Sequence, residues 1–287
     1  MEKERECASD PNPSFYHRPL RPLPAMPNRP SADPTVSAVI ITRDEAANLP
    51  ACLESLAWCD EIVVLDNAST DGTPELARAA GARVHTTPDW PGFGPQKNRA
   101  VALAGCDWVL SIDADERISP ELAREIREAI RAPGAPAAFA ISRVSSYCGQ
   151  FMRHGDWYPD DVLRLFRRGS ARFSDDLVHE RLLADKPYRR LRAPMRHYSY
   201  RDMQQVLAKL DAYSTAGARA MHAHGRRTSI AGALGHGAWT FVRGYLLKRG
   251  FLDGRLGLVL ALSNAHGAYY RYIKLWLLQR QADKRPA

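Results

Sequence analysis

Short apolar runs alternate with helix-spaced stretches through the first half of this chain, and that alternation constrains its fold more than any other feature. Val36 to Ile41 is a nearly continuous β-branched run, as expected of a strand buried on both faces. Asn48 to Trp58 follows, with Leu49, Cys52, Leu53 and Leu56 at helical spacing. Glu61 to Leu65 reads as the second strand and Thr73 to Ala80 as the second helix, ended by Gly81. A short strand over Ala82 to His85, a helix over Gln96 to Ala104, a strand over Trp108 to Ile112 and a helix over Pro120 to Arg131 continue the series. Strand–helix units of about thirty residues predict an α/β fold with a mostly parallel sheet flanked by helices.

Ligands of such sheets bind beyond the carboxyl ends of the strands. The polar residues gather there: Thr42 to Glu45 after the first strand, Asp66 to Asp71 after the second, Asp113 to Asp115 after the fourth. In Trp108-Val-Leu-Ser-Ile-Asp-Ala-Asp-Glu116 an apolar strand ends in two aspartates one residue apart, and alternate side chains of a strand share a face. Two hard oxygen ligands at one place suit Mg²⁺ or Mn²⁺, and such a cation suits a diphosphate. Neither a G-x-G-x-x-G fingerprint nor a G-x-x-x-x-G-K-[ST] phosphate loop occurs in this half. Pro91-Gly-Phe-Gly-Pro95 instead delivers Lys97 and Asn98 at the start of a helix.

Three segments in order carry a resemblance. Ser37-Ala-Val-Ile-Ile-Thr-Arg-Asp-Glu-Ala-Ala-Asn-Leu49, Ile62-Val-Val-Leu-Asp-Asn-Ala-Ser-Thr-Asp-Gly-Thr73 and Ile112-Asp-Ala-Asp115 resemble family 2 inverting glycosyltransferases of the GT-A fold. Asp89 to Arg99, Trp157-Tyr-Pro-Asp160, Leu163-Arg-Leu-Phe166, Phe173 to Glu180 and His197-Tyr-Ser-Tyr200 resemble the lipopolysaccharide core β-1,4-glucosyltransferase branch. The resemblance spans roughly residues 36 to 280.

It implies transfer of a hexose, glucose from UDP-glucose, onto a heptose of the lipopolysaccharide inner core, with a divalent cation as cofactor. A polyprenyl phosphate or another cell-envelope glycan is the alternative acceptor, and a non-enzymatic nucleic-acid- or nucleotide-binding protein the remote one. Thr42, Arg43 and Glu45 would lie beside the nucleotide. Asp66 would accept hydrogen bonds from the uracil or ribose, and Lys97 would sit near the base or diphosphate. Asp113 would contact the ribose or the metal, and Asp115 would bind the metal. His197 would complete the metal shell, as a late histidine does in some GT-A enzymes. Asp71 reads equally as part of the site and as a turn and helix cap.

Inverting transfer also needs a carboxylate to take the proton of the attacking hydroxyl. Asp175-Asp-Leu-Val-His-Glu180 is the acidic cluster downstream of the aspartate pair, and the resemblance puts the base there: Glu180 first, Asp176 second. Trp157, Tyr158 and Asp160 are candidates for holding a sugar, because aromatic faces and carboxylates suit its CH and OH groups. A tryptophan packed in the core is the other reading of Trp157.

The net charge of +8 is unevenly spread. Residues 1–180 hold 20 Lys/Arg against 27 Asp/Glu, whereas residues 181–287 hold 20 against 5. Trp239-Thr-Phe-Val-Arg-Gly-Tyr-Leu-Leu-Lys-Arg249 and Tyr269-Tyr-Arg-Tyr-Ile-Lys-Leu-Trp-Leu-Leu278 interleave aromatics with cations, as helices lying in a membrane interface do. The longest stretches without charge there fall short of the ~20 apolar residues that span a bilayer. Five cysteines without zinc spacing fit a reducing compartment. The expected partners are therefore a nucleotide sugar, a lipid-linked saccharide and a membrane surface, and no nucleic acid. The expected place is the cytoplasmic side of the cell membrane, held peripherally. The expected organisation is a Pro-rich disordered leader over 1–34, a catalytic domain over 35–200, and a basic, aromatic-rich helical region over 201–287.

Overall fold

The structure is a computed structural model that describes residues 33–175, 180–184 and 187–282. All but the last two residues of the Pro-rich leader lie outside the described residues, as does Asp176.

The elements run β1 (Val36–Thr42), α1 (Leu49–Ser55), β2 (Glu61–Asp66), α2 (Thr73–Ala79), β3 (Arg83–Thr86), α3 (Phe93–Ala102), β4 (Trp108–Ser111), β5 (Glu116–Arg117) and α4 (Pro120–Arg131). Then come β6 (Ala138–Tyr147), β7 (Gln150–Phe151), β8 (Asp160–Arg167), β9 (Ala171–Phe173), β10 (Leu182–Ala184), β11 (Tyr188–Arg190) and β12 (Met195–Tyr200). The chain finishes with α5 (Met203–Ala223), α6 (Ile230–Phe241) and α7 (Gly254–Ala282).

The main sheet has the order β3-β2-β1-β4-β8-β6-β12-β5. Strands β3, β2, β1 and β4 are parallel, as the alternation predicts. The far half is mixed: β8 runs antiparallel to both β4 and β6, β6 is parallel to β12, and β5 returns antiparallel on β12. The alternation stops after α4, and so does the parallel sheet. Crossover helices enforce parallel pairing, and between β6 and β8 there is none.

Both faces of the parallel half are covered. Ile40, Val64, Leu110 and Trp108 pack on one side with Leu49, Leu53 and Leu56 of the α1 region and Leu122 and Ile126 of α4. Val39, Val63 and Val109 pack on the other side with Ala100 of α3 and Ala104 beyond its end. The runs 38–41, 62–65 and 108–110 are apolar because both faces are covered. Helix α4 starts where Ser119 accepts a hydrogen bond from the Leu122 amide at 3.2 Å, with Pro120 in its first turn.

Strand β6 was not legible from periodicity because Ser142, Ser145 and Ser146 are buried in it among apolar residues. Two of the three have polar partners there: Ser142 binds Asp161 and Ser145 meets His197. Beyond the sheet, α5 and α6 both pack along the long α7. No described helix is long and apolar enough to cross a membrane.

Candidate active site

Parallel pairing aligns three strand ends. Thr42 stands opposite Asp66 in the β1–β2 register, and the Ile112 amide just past β4 donates to the Val39 carbonyl at 3.1 Å. The acidic segments 42–45, 66–71 and 113–116 therefore open on one edge.

The first two segments are stitched into a floor. Asp66 is fully buried, and its oxygens accept from Thr42 Oγ1 at 2.9 Å, the Ser69 amide at 2.9 Å and Ser69 Oγ at 2.5 Å. Asp66, expected to accept from a uracil or ribose, has no exposed surface and holds the 66–69 loop against Thr42. Asp71 accepts from the Ala46 amide at 2.9 Å and from the Thr73 amide and hydroxyl at 3.1 and 2.5 Å, which makes it a turn clasp. Thr73 in turn accepts from the Glu45 amide at 2.8 Å. Arg43 is exposed on the rim. Burial pushes the Glu45 carboxyl up from its ordinary value, and the Asp115 charge adds to that while Asn48 opposes it.

Asp113 sits in a clamp of two cations. Its Oδ1 is 3.0 Å from Lys97 Nζ and its Oδ2 2.5 Å from the Arg164 guanidinium. Burial alone would raise its pKa, but Arg164 and Lys97 outweigh it and hold the carboxyl well below the usual carboxylate range. Both oxygens of Asp113, expected to contact the ribose or the metal, are engaged by these two cations.

Arg164, only 5% exposed, also reaches Glu116 Oε1 at 2.9 Å. Glu116 is fully buried and accepts from the Asp113 amide at 2.9 Å, with Arg143 3.4 Å away. Arg143 bonds Asp160 at 2.6 Å, so Asp160 is tied to the same network. Glu116 and Arg164, both removed from water, are stable only because each is paired. Sequence reasoning missed Arg164, Glu116 and Arg143. The available signal was a cation inside an apolar strand, in Leu163-Arg-Leu-Phe166.

Asp115 is arranged differently. Its Oδ2 lies 3.3 Å from His197 Nε2. Strand β12 brings that imidazole across the sheet by pairing His197 with Glu116. Ser145 Oγ contacts His197 Nδ1 at 2.9 Å and fixes the ring, so Nε2 is the nitrogen aimed at Asp115. A hard oxygen and an imidazole nitrogen, with the Glu45 carboxyl close by, fit a small divalent cation. Among the described residues no three His, Cys, Asp or Glu side chains converge on one point. A cation at Asp115 would thus take two protein donors and fill its shell from water and a diphosphate, as Mg²⁺ commonly does.

Helix α3 delivers four consecutive side chains to four tasks. Gln96 bonds Thr87 Oγ1 at 2.8 Å, and Lys97 bridges Asp113 to Glu180 Oε1 at 2.8 Å. Asn98 exchanges hydrogen bonds with the Phe173 backbone at 2.7 and 2.9 Å, and Arg99 forks onto Asp89. Lys97 is therefore no solvated helix-face lysine. Gly94 lets α3 approach the end of β9: a Cβ there would stand 1.8 Å from the Ser174 carbonyl oxygen, so any side chain would push that backbone off the helix.

Trp157 stacks on Tyr200 with ring centroids 5.4 Å apart and meets Tyr147 edge-on at 5.6 Å. It belongs to a small aromatic cluster with Met152, Val206 and Leu260, which is the packed reading of that residue. Tyr158 is half-buried beside it.

Residues 37–192 match the domain described as Glycosyl transferase family 2. A protein of Rickettsia bellii (strain RML369-C) described as an uncharacterized glycosyltransferase is 30% identical over 265 residues, which cover 86% of this chain and 88% of that one. The lipopolysaccharide core biosynthesis glycosyltransferase LpsC of Rhizobium meliloti (strain 1021) is 29% identical over 255 residues, covering 83% of this chain and 93% of its own. Among solved structures, glucosyl-3-phosphoglycerate synthase from Mycobacterium tuberculosis in complex with Mg²⁺ and uridine-diphosphate overlaps at a TM-score of 0.34 and 26% identity, over 39% of this chain and 44% of that one.

Proposed function

The chain belongs to glycosyltransferase family 2, and from that premise we propose that it moves a hexose, glucose from UDP-glucose, onto a heptose-bearing, lipid-linked core saccharide with inversion. The observation that carries this reading is the division of labour between the two aspartates. Asp113 is paired with Lys97 and Arg164, whereas Asp115, among the described residues, meets an imidazole whose orientation is fixed and has the Glu45 carboxyl near it. The similarity to LpsC supports the acceptor class.

A divalent cation at Asp115 and His197 would supply Lewis-acid stabilisation of the leaving diphosphate. Thr42, Arg43 and Glu45 line the nucleotide edge, over the floor that Asp66 and Asp71 hold rigid. Lys97 lends positive charge to the diphosphate side. Tyr158 and Asp160, with Trp157 packed behind them, flank the acceptor. An acceptor hydroxyl oxygen attacks the anomeric carbon as the bond from that carbon to the diphosphate oxygen breaks. The hydroxyl proton passes to Glu180, whose Oε1 is braced by Lys97.

The test is release of UDP from UDP-glucose in the presence of Mg²⁺ or Mn²⁺, with a panel of nucleotide sugars and with heptose-lipid and polyprenyl-phosphate acceptors. Asp115→Asn is expected to lose metal-dependent donor binding, while Glu180→Gln keeps binding and loses turnover by about a hundredfold or more. Equal donor affinity with and without EDTA would remove the metal from the reading. Neither turnover nor binding of any nucleotide sugar would end it.

A further inference from the structure

Of the two basic, aromatic stretches in the C-terminal third, the structure turns one inward and the other outward. In Tyr269 to Leu278, Tyr272 stacks on His236 of α6 with ring centroids 3.7 Å apart. Lys274 bonds Asp211, Ser214 and Thr215 of α5, and Leu275 is fully buried. That stretch serves as the spine of the helical bundle.

Residues 239–252 do the opposite. After α6 the chain makes a π-helical turn over Val242–Leu247 and a 3₁₀ turn over Gly250–Asp253 before α7 begins. The turn is closed by backbone contact. A Cβ on Gly250 would meet the Gly244 carbonyl oxygen at 2.7 Å, and one on Gly257 would meet the Gly250 carbonyl oxygen at 2.1 Å. Phe241 and Tyr245 stack half-buried within the turn, while Trp239, Val242, Leu246, Leu247, Phe251 and Leu252 are all exposed, Leu247 to 63%. Six exposed large apolar groups within fourteen residues concentrate hydrocarbon at one turn.

The charge around the patch is of one sign. Residues 239–258 hold Arg243, Lys248, Arg249 and Arg255, all exposed, against a single acid, Asp253. Asp253 is buried and spent inward, accepting from the Arg153 and His154 amides and contacting His154 Nδ1 at 2.8 Å. Asp156 completes a clasp between the hairpin and the same loop, 2.9 Å from Arg243 and 3.1 Å from Lys248. The loop so held leads directly into Trp157, Tyr158 and Asp160.

We propose that the α6–α7 hairpin tip is the surface by which this protein docks on an anionic phospholipid bilayer, Trp239, Leu246, Leu247 and Leu252 entering the interface and Arg249 and Arg255 meeting the headgroups beside the clasped Arg243 and Lys248. Hydrocarbon ringed by cations without an exposed acid is complementary to a lipid headgroup layer, and no described helix is able to cross it. Under the proposed function, the clasp through Asp156 and Asp253 places the acceptor side of the site over that layer, where a lipid-borne saccharide is presented.

Co-sedimentation of the full chain with phosphatidylcholine vesicles, with and without about one-third phosphatidylglycerol, tests this. Binding to the anionic vesicles, weakened by salt, is expected. The triple variant Leu246→Gln, Leu247→Gln, Leu252→Gln is expected to bind about tenfold more weakly or worse. Leu207→Gln with Leu277→Gln, equally exposed on α5 and α7, is expected to bind as wild type. A blue shift of tryptophan emission on vesicle addition, lost in Trp239→Phe, reads the same contact without altering the leucines.

No binding to anionic vesicles at low salt overturns the proposal, as does equal weakening by the triple and control variants. A vesicle-free dimer that the triple variant abolishes overturns it in favour of a second copy. Donor binding measured in the same samples separates the two readings: vesicle binding lost with donor binding intact condemns the docking surface alone, and the reverse condemns the proposed reaction alone.

Discussion

The donor corner and the hairpin tip break the usual partition of residues in opposite directions. At the end of β4 the protein places charge inside: Arg164 and Glu116 are buried, and Lys97 is 5% exposed between two carboxylates. At the α6–α7 turn it places hydrocarbon outside. Each departure costs stability in isolation, since buried charges lose hydration and exposed leucines keep water ordered. The difference lies in who supplies the compensation. In the corner the compensation is internal, an alternation of Asp113, Arg164, Glu116 and Arg143 that leaves Asp115 aside for a ligand. At the tip nothing among the described residues supplies it, and under the docking proposal a lipid headgroup layer does.

The comparison is broken most severely by Arg164→Met. Removing the cation leaves Asp113 and Glu116 facing each other without their shared partner, and the expected loss is about 3–5 kcal/mol of folding stability, read by urea unfolding. A loss under about 1 kcal/mol would mean that the buried network is not what holds the end of β4.

A smaller effect comes from pH. Because the folded Asp113 carboxyl lies below its ordinary value, its contribution is fully present above the unfolded value near ~3.9 and is lost as pH falls through the depressed folded value. Below about pH 4, wild-type stability should therefore fall more steeply with acid than that of Asp113→Asn. Parallel slopes would show that Asp113 is not held by its two cations.

The smallest expected change is the most telling for the tip. Leu247→Gln should alter unfolding free energy by no more than about 0.5 kcal/mol, because an exposed side chain contributes little to folding. A loss of about 2 kcal/mol or more would mark Leu247 as a core residue and remove the contrast.

Much of the donor half was legible in the sequence. Continuous β-branched runs separated by helical spacing specify parallel strands, and parallel strands bring their carboxyl ends together, so the alignment of segments 42–45, 66–71 and 113–116 followed from local pattern alone. What those side chains do there was not legible to the same degree. Asp66 and Asp113 read as ligand contacts and Asp71 equally as site or cap, and the structure gives their oxygens to Ser69, to Lys97 with Arg164, and to Thr73. A carboxylate at a strand end looks the same in sequence whether a loop or a ligand takes its lone pairs.

Local pattern by itself determined the parallel half-sheet, the placing of two aspartates on one strand end and the basic bias of the last third, because each depends only on neighbours along the chain. Tertiary structure decided which aspartate is paired with a guanidinium and which with an imidazole, since Arg164 and His197 arrive from strands 51 and 82 residues beyond Asp113 and Asp115. It also decided which of two similar aromatic, basic stretches faces out. In Tyr269 to Leu278, Tyr272 stacks on α6, Lys274 bonds α5 and Leu275 is buried, whereas in Trp239 to Leu252 the glycine-closed turn leaves Leu246, Leu247 and Leu252 exposed. Side-chain composition is alike in the two; the backbone's room is not.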